Sequence, residues 1–109
     1  MCIFCQIVEG KIPNKSVLED ENFLCFHDIN PTRKIHVLII PKEHYESFQE
    51  TPSSIMGDLT SFSQKCAVEL GIDKSGYRLI TNIGDDGGQE VHHLHFHMIG
   101  GEPVGRLVR

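Results

Sequence analysis

Basic residues are scarce in this 109-residue chain: ten lysines and arginines stand against fifteen aspartates and glutamates, a formal net charge of −5. A surface of that sign does not gather phosphate backbones, which argues against general nucleic-acid binding. Long apolar runs are missing too. The longest purely aliphatic stretch, Val37 to Ile40, is far short of the roughly 20 residues a membrane helix needs. The opening MCIFCQIVEG shows neither the basic segment nor the long apolar core of a secretion signal, so the expected location is cytoplasmic. Internal repeats, low-complexity tracts and linkers are absent. Cysteine is limited to four residues, read in a reducing compartment as thiols or metal ligands rather than as a disulfide framework. What remains is 39% hydrophobic and 23% charged, a soluble globular composition at a length suited to one domain, 1–109.

The pattern along the chain predicts an α+β domain. SVLEDENFLCF reads as a hairpin, with Val17–Leu18 in one arm, EDEN as the turn and Phe23 to Phe26 in the other arm, stopped by Asn30–Pro31. HVLIIP at 36–41 reads as a buried strand closed by proline. Ile55, Leu59, Phe62, Cys66 and Leu70 recur at helical spacing and predict a helix from Thr51 to Leu70, with Thr51 as N-cap, Pro52 in the first position and Gly71 as C-terminal cap. YRLITNI at 77–83 and VHHLHFHMI at 91–99 read as strands around a GDDGG turn, and EPVGRLVR as a loosely packed tail. The order β-β-β-α-β-β, without regular βαβ alternation, implies a mostly antiparallel sheet with a helix across one face.

Four of the seven histidines fall within positions 92–97. On a strand, His93, His95 and His97 share one face at about 6.6 Å spacing, and Leu94, Phe96 and Met98 the other. A solvated face would be served by lysine, threonine or glutamate. Two chemistries use such a row. Three imidazoles can hold a catalytic zinc, although a collinear row converges poorly on one ion. Alternatively, a neutral imidazole attacks phosphorus while its neighbours donate hydrogen bonds to phosphoryl oxygens.

HHLHFHMIGG resembles the histidine triad motif, and GDDGGQEVHHLHFHMIGG is similar to the Hint branch of the histidine triad nucleotide-binding proteins. The resemblance extends over CIFCQIVEGKIPNKSVLEDENFLCFHDINP, HVLIIPKEH and YRLITNIGDDGGQ, nearly the whole chain. It implies about five strands, one long and one short helix, and a homodimer whose sheets join into a continuous sheet. It also implies hydrolysis of purine nucleoside 5′-phosphoramidates or acyl-nucleotides through a nucleotidyl-histidine. His95 would be the nucleophile, with its other ring nitrogen held by a main-chain carbonyl, and His97 would contact the phosphate. His36 would assist proton handling near the leaving group. Glu90 stands where animal members carry serine; an ionised carboxylate repels phosphate, so Glu90 is expected to face the leaving amine or to be partly protonated.

Asp28 would hold the ribose hydroxyls. Phe4, Ile7, Phe26, Ile29 and Leu38 would enclose the base, with Ile3 and His27 at the edge, and Asn82, Gly88, Gln89 and Val91 would line the phosphate side. Ile7 and Leu38 are equally readable as ordinary core. The CxxC of Cys2 and Cys5 has metal-knuckle spacing; a thioredoxin-type motif would need a strand ahead of it, which is not expected here. Cys25 and Cys66 read as buried structural thiols. By resemblance to bacterial and archaeal members, Cys2, Cys5, His44 and His93 would hold a structural zinc not required for the chemistry. Competing readings are a nucleotide-binding regulatory protein with residual hydrolysis, a dinucleoside polyphosphate hydrolase, and a zinc hydrolase using the triad as ligands. Steady-state turnover separates the first from the phosphoramidase, and activity of metal-stripped protein separates the last.

Overall fold

The computed structural model describes residues 2–106. Its elements are α1 (Ile3–Val8), β1 (Ser16–Glu19), β2 (Phe23–His27), β3 (Ile35–Pro41), α2 (Ser53–Glu69), β4 (Tyr77–Ile80) and β5 (Phe96–Gly100), with a single 3-10 turn at Phe48–Glu50 ahead of α2. The five strands form one antiparallel sheet in the order β1-β2-β3-β5-β4. The α+β class, the five strands and the long-plus-short pair of α-helices are as expected.

The alternation of side chains divides the sheet into two chemistries. Phe23 and Cys25 of β2, Val37 and Ile39 of β3 and Met98 of β5 pack with Leu59, Phe62 and Cys66 of α2. Leu24 and Phe26 of β2 and Leu38 and Ile40 of β3 face the other way, against Phe4 and Ile7 of α1. Helices cover both faces of the central strands, so β3 is an unbroken apolar run rather than an alternating one. His36, His93, His95 and His97 all lie on the α1 side. Leu38 stands opposite His97 in the register, and His36 lies two residues earlier on the same face of β3. Cys25 and Cys66 are free, fully buried thiols; a mutual hydrogen bond and burial push the Cys25 thiol far above its ordinary value.

Three predicted boundaries move. The last strand begins at Phe96, not at Val91. With Ile39 paired to Phe96, the next positions along β3 reach Pro41, which has no N–H to give to a ladder. Residues 91–95 leave the sheet, and the Leu94 N–H goes to the Tyr45 carbonyl at 2.7 Å. Likewise β4 stops at Ile80 rather than running to Ile83, because the Thr81 hydroxyl donates to the His95 carbonyl (2.8 Å) and Asn82 Nδ2 to the Gly87 carbonyl (2.7 Å). At the start of α2, Pro52 occupies the cap position with extended backbone and Ser53 opens the helix; Thr51 closes the preceding 3-10 turn, its hydroxyl donating to the Ser47 carbonyl. At the other end Gly71 takes φ +73° just beyond the Leu70 cap, the left-handed place glycine fills without strain. The tail through Arg106 is irregular: Arg33 and Arg78 donate to the carbonyls of Val104 and Gly105, and the Lys34 N–H to Glu102. The rest of the tail, 107–109, lies outside the described residues.

Candidate functional site

His95 is held by its own chain. Its Nδ1 lies 2.8 Å from the His93 carbonyl, an acceptor only, so Nδ1 carries the proton and Nε2 keeps a lone pair. The Thr81 hydroxyl anchors the His95 carbonyl, and the Phe4 ring packs edge-on against the imidazole at 5.1 Å between centroids. Those contacts fix the ring's orientation and, in its neutral form, the tautomer that leaves Nε2 unprotonated.

His36 and His97 form a second unit. The Thr32 main-chain N–H donates to His36 Nδ1 at 3.1 Å, so only Nε2 of His36 can carry a proton. That Nε2–H donates to His97 Nδ1 at 2.9 Å, with the Asp28 carboxylate 3.4 Å away. The proton of His97 is thereby placed on its Nε2. Burial, reinforced by repulsion from His95 and His36 and opposed by Asp28, pulls His97 down from the ordinary 6.5 to about 4. His97 is therefore a neutral hydrogen-bond donor at physiological pH. Its ring lies 5.2 Å from that of His95, centroid to centroid.

Beside these rings opens a cleft of about 420 Å³. Ile3, Phe4, Ile7, Phe26, His27, Asp28, Ile29 and Leu38 line it, all eight residues expected around base and ribose. Asp28 Oδ1 accepts the Asn30 N–H, and Oδ2 turns towards His36. Ile29 is 91% exposed, an apolar wall with nothing over it. Ile12, Pro13, Asn14 and Lys15 also line the cleft and were not anticipated. They belong to the loop between α1 and β1, where no period or motif marks them. Thr32 was missed for a different reason: it acts through its backbone N–H, which leaves no side-chain signal.

The expected phosphate-side residues divide. Val91 packs against the Phe4 cluster and Glu90 is exposed. Gln89 is buried and braces the turn: Oε1 accepts the Gly84 N–H, and Nε2 donates to the carbonyls of Glu46 and Val91. Main-chain N–H groups of Gly88 and Gln89 bond inside the turn, to Asp85 and Gly84, so these two amides are already committed. Asn82 likewise ties into the turn through Gly87. A Cβ on Gly87 would sit 2.2 Å from the Ile83 carbonyl oxygen, so the turn admits only glycine there.

Two groups among the described residues bring three or more metal-binding atoms together: Cys2, Cys5, His44 and His93, and Asp28, His36 and His97. The three triad rings do not form such a group, since each faces a different partner. In the first group His93 Nε2–H donates to the Pro41 carbonyl at 2.8 Å, and His44 Nε2 faces Glu46. Both rings thus present bare Nδ1 atoms to sulfur, with Cys2 and Cys5 Sγ 3.3 and 3.6 Å from His93 and Cys5 Sγ 3.4 Å from His44. Tetrahedral zinc, with bonds of about 2.3 Å to sulfur and 2.0 Å to nitrogen, places such atoms about 3.5 Å apart. Donor types, spacing and outward-facing N–H groups all fit. The second group does not fit. Thr32 occupies His36 Nδ1, so Nε2 must carry a proton instead of a metal, and its 2.9 Å approach to His97 is a hydrogen-bond distance.

Fold and site together define an α+β protein whose sheet presents a tautomer-fixed histidine cluster to an apolar cleft. The HIT domain model matches residues 9–104, and the chain belongs to that family. It is 45% identical to an uncharacterized HIT-like protein of Helicobacter pylori over 94% of this chain and 98% of that protein. Among solved structures, a histidine triad protein from Clostridium difficile superposes with a TM-score of 0.93 at 42% identity, covering 98% of this chain and 96% of that one. An HIT family hydrolase from Legionella pneumophila gives 0.91 at 39% identity, covering 96% of both chains.

Proposed function

We propose that this chain is a Hint-type hydrolase that cleaves purine nucleoside 5′-phosphoramidates or acyl-nucleotides to the nucleoside monophosphate. The observation carrying this reading is the bond from His95 Nδ1–H to the His93 carbonyl, which leaves Nε2 as a lone pair beside a nucleoside-sized cleft. The base lies in the apolar slot, covering Phe4 and Ile29, and Asp28 receives the ribose hydroxyls. His95 Nε2 attacks the α-phosphorus and the phosphorus–nitrogen bond of the substrate breaks. The amine leaves with that electron pair and takes up a proton from solvent, a transfer that His36 assists, and the water that later attacks phosphorus returns that proton to solvent. His97 Nε2–H donates to a phosphoryl oxygen throughout. Water then attacks phosphorus, the bond to Nε2 breaks, and neutral His95 returns. Glu90, exposed beside the turn, faces the departing amine.

The same reading makes 1–109 a single domain and a cytoplasmic homodimer, with a structural zinc on Cys2, Cys5, His44 and His93 that orders these residues and supplies no chemistry. None of the helices described is long and apolar enough to cross a membrane. Incubation with adenosine 5′-phosphoramidate tests the activity: catalytic release of AMP and ammonia is expected. AMP release no faster than from the His95→Ala protein would contradict it.

A further inference from the structure

The metal cluster and the nucleotide cleft share one short element. Cys2 caps α1, its Sγ accepting the Cys5 N–H at 3.4 Å, and Cys5 lies in the first turn. Phe4 and Ile7 of the same six-residue helix form a wall of the cleft. A helix this short has no stability of its own and takes its position from its contacts. Those contacts are of two kinds: apolar packing onto β2 and β3, and the two sulfur atoms directed at His93 and His44. His93 is the second link. Its Nδ1 faces the sulfurs, its ring is fully buried against Phe4, and its carbonyl holds the His95 Nδ1–H. Phe4 touches both imidazoles and closes the loop.

We infer that the Cys2–Cys5–His44–His93 cluster is a positioning device for the nucleotide site, so that metal binding and nucleoside monophosphate binding strengthen each other through α1 and His93. The inference rests on the nucleotide reading above and extends it to the control of affinity. A metal at the four donors fixes where α1 sits, and with it the Phe4 and Ile7 wall. It also fixes the His93 ring, whose backbone sets the His95 tautomer. A nucleoside in the cleft packs against Phe4 and Ile7 of the same helix. Each ligand then binds a chain already ordered by the other, and the coupling is the same factor in both directions.

Calorimetric titration of AMP into the full chain, zinc-loaded and metal-free, tests this. AMP should bind about tenfold more weakly without metal, within the usual range of coupling between sites. Zinc affinity, measured by chelator competition, should rise by the same factor at saturating AMP. His44→Ala, which removes a ligand outside the cleft, should reproduce the loss of AMP affinity while far-ultraviolet circular dichroism shows a folded chain. In case the metal-free chain unfolds, the cadmium-loaded protein supplies an independent reading: its ¹¹³Cd resonance should shift on adding AMP. Equal AMP affinity in both forms, or an unmoved ¹¹³Cd line with AMP bound, overturns the inference. Failure of AMP to bind either form overturns the nucleotide reading and this coupling with it.

Discussion

At the scale of single residues, the site is a set of proton positions. A carbonyl on one ring and a backbone N–H on another decide that His95 offers a lone pair and His97 a proton. His95→Ala is expected to abolish turnover yet retain AMP binding, because the cleft proposed for base and ribose is lined by other segments; calorimetry and a turnover assay on one preparation check both halves. His97 carries a pH signature. As pH falls below about 6.5 the unfolded chain takes up a proton that folded His97 refuses until about 4. Stability owed to neutral His97 is therefore present above 6.5 and lost progressively down to about 4. The advantage of the parent over His97→Asn in urea denaturation should shrink from pH 7 to pH 4.5; a constant difference across that window would refute the assignment. Gly87→Ala forces a Cβ against main-chain atoms that have no room to yield, and should cost about 1–3 kcal/mol, read as a lower denaturation midpoint.

At the scale of elements, the period-two pattern identified the common direction of His93, His95 and His97 without revealing where the strand begins. The orientation is local, set by alternation along the backbone, and Leu94 and Met98 do enter the α2 core. The boundary is non-local: Pro41, more than fifty residues earlier, ends the ladder by lacking an N–H. Helix α1 was legible only through family resemblance, since six residues are too few to show a period. The Ile12–Lys15 side of the cleft was not legible at all, because a loop acquires its meaning from what it lies against. The cysteine–histidine cluster was half legible: CxxC spacing named two donors, and resemblance the other two. Elemental analysis of protein expressed with zinc supplied should find about one zinc per chain. Cys5→Ser should lower that ratio and the thermal midpoint together, since a ligand bound only by the folded state stabilises it. Zinc far below one per chain in the parent would remove this element of the account.

At the scale of the molecule, the sheet ends in two edges, β1 and β4. Along β4, Tyr77 and Leu79 are exposed beside Met56 and Gln64 of α2, an apolar groove next to unpaired strand. Pairing two such edges would bury both and protect them from aggregation. Sedimentation at micromolar concentration should give twice the 12.3 kDa chain mass, and Leu79→Glu should shift the protein towards monomer; a parent monomer would exclude the continuous-sheet dimer. The central claim is nevertheless the chemistry of one nitrogen, to which cleft, tautomers and fold all contribute. Rapid quenching with a slowly hydrolysed adenosine phosphoramidate, followed by peptide mass spectrometry, tests it directly. An adenylate adduct on His95, absent from His95→Ala, is the predicted result. An adduct on His97 or His36, or near-normal turnover by His95→Ala, would contradict it.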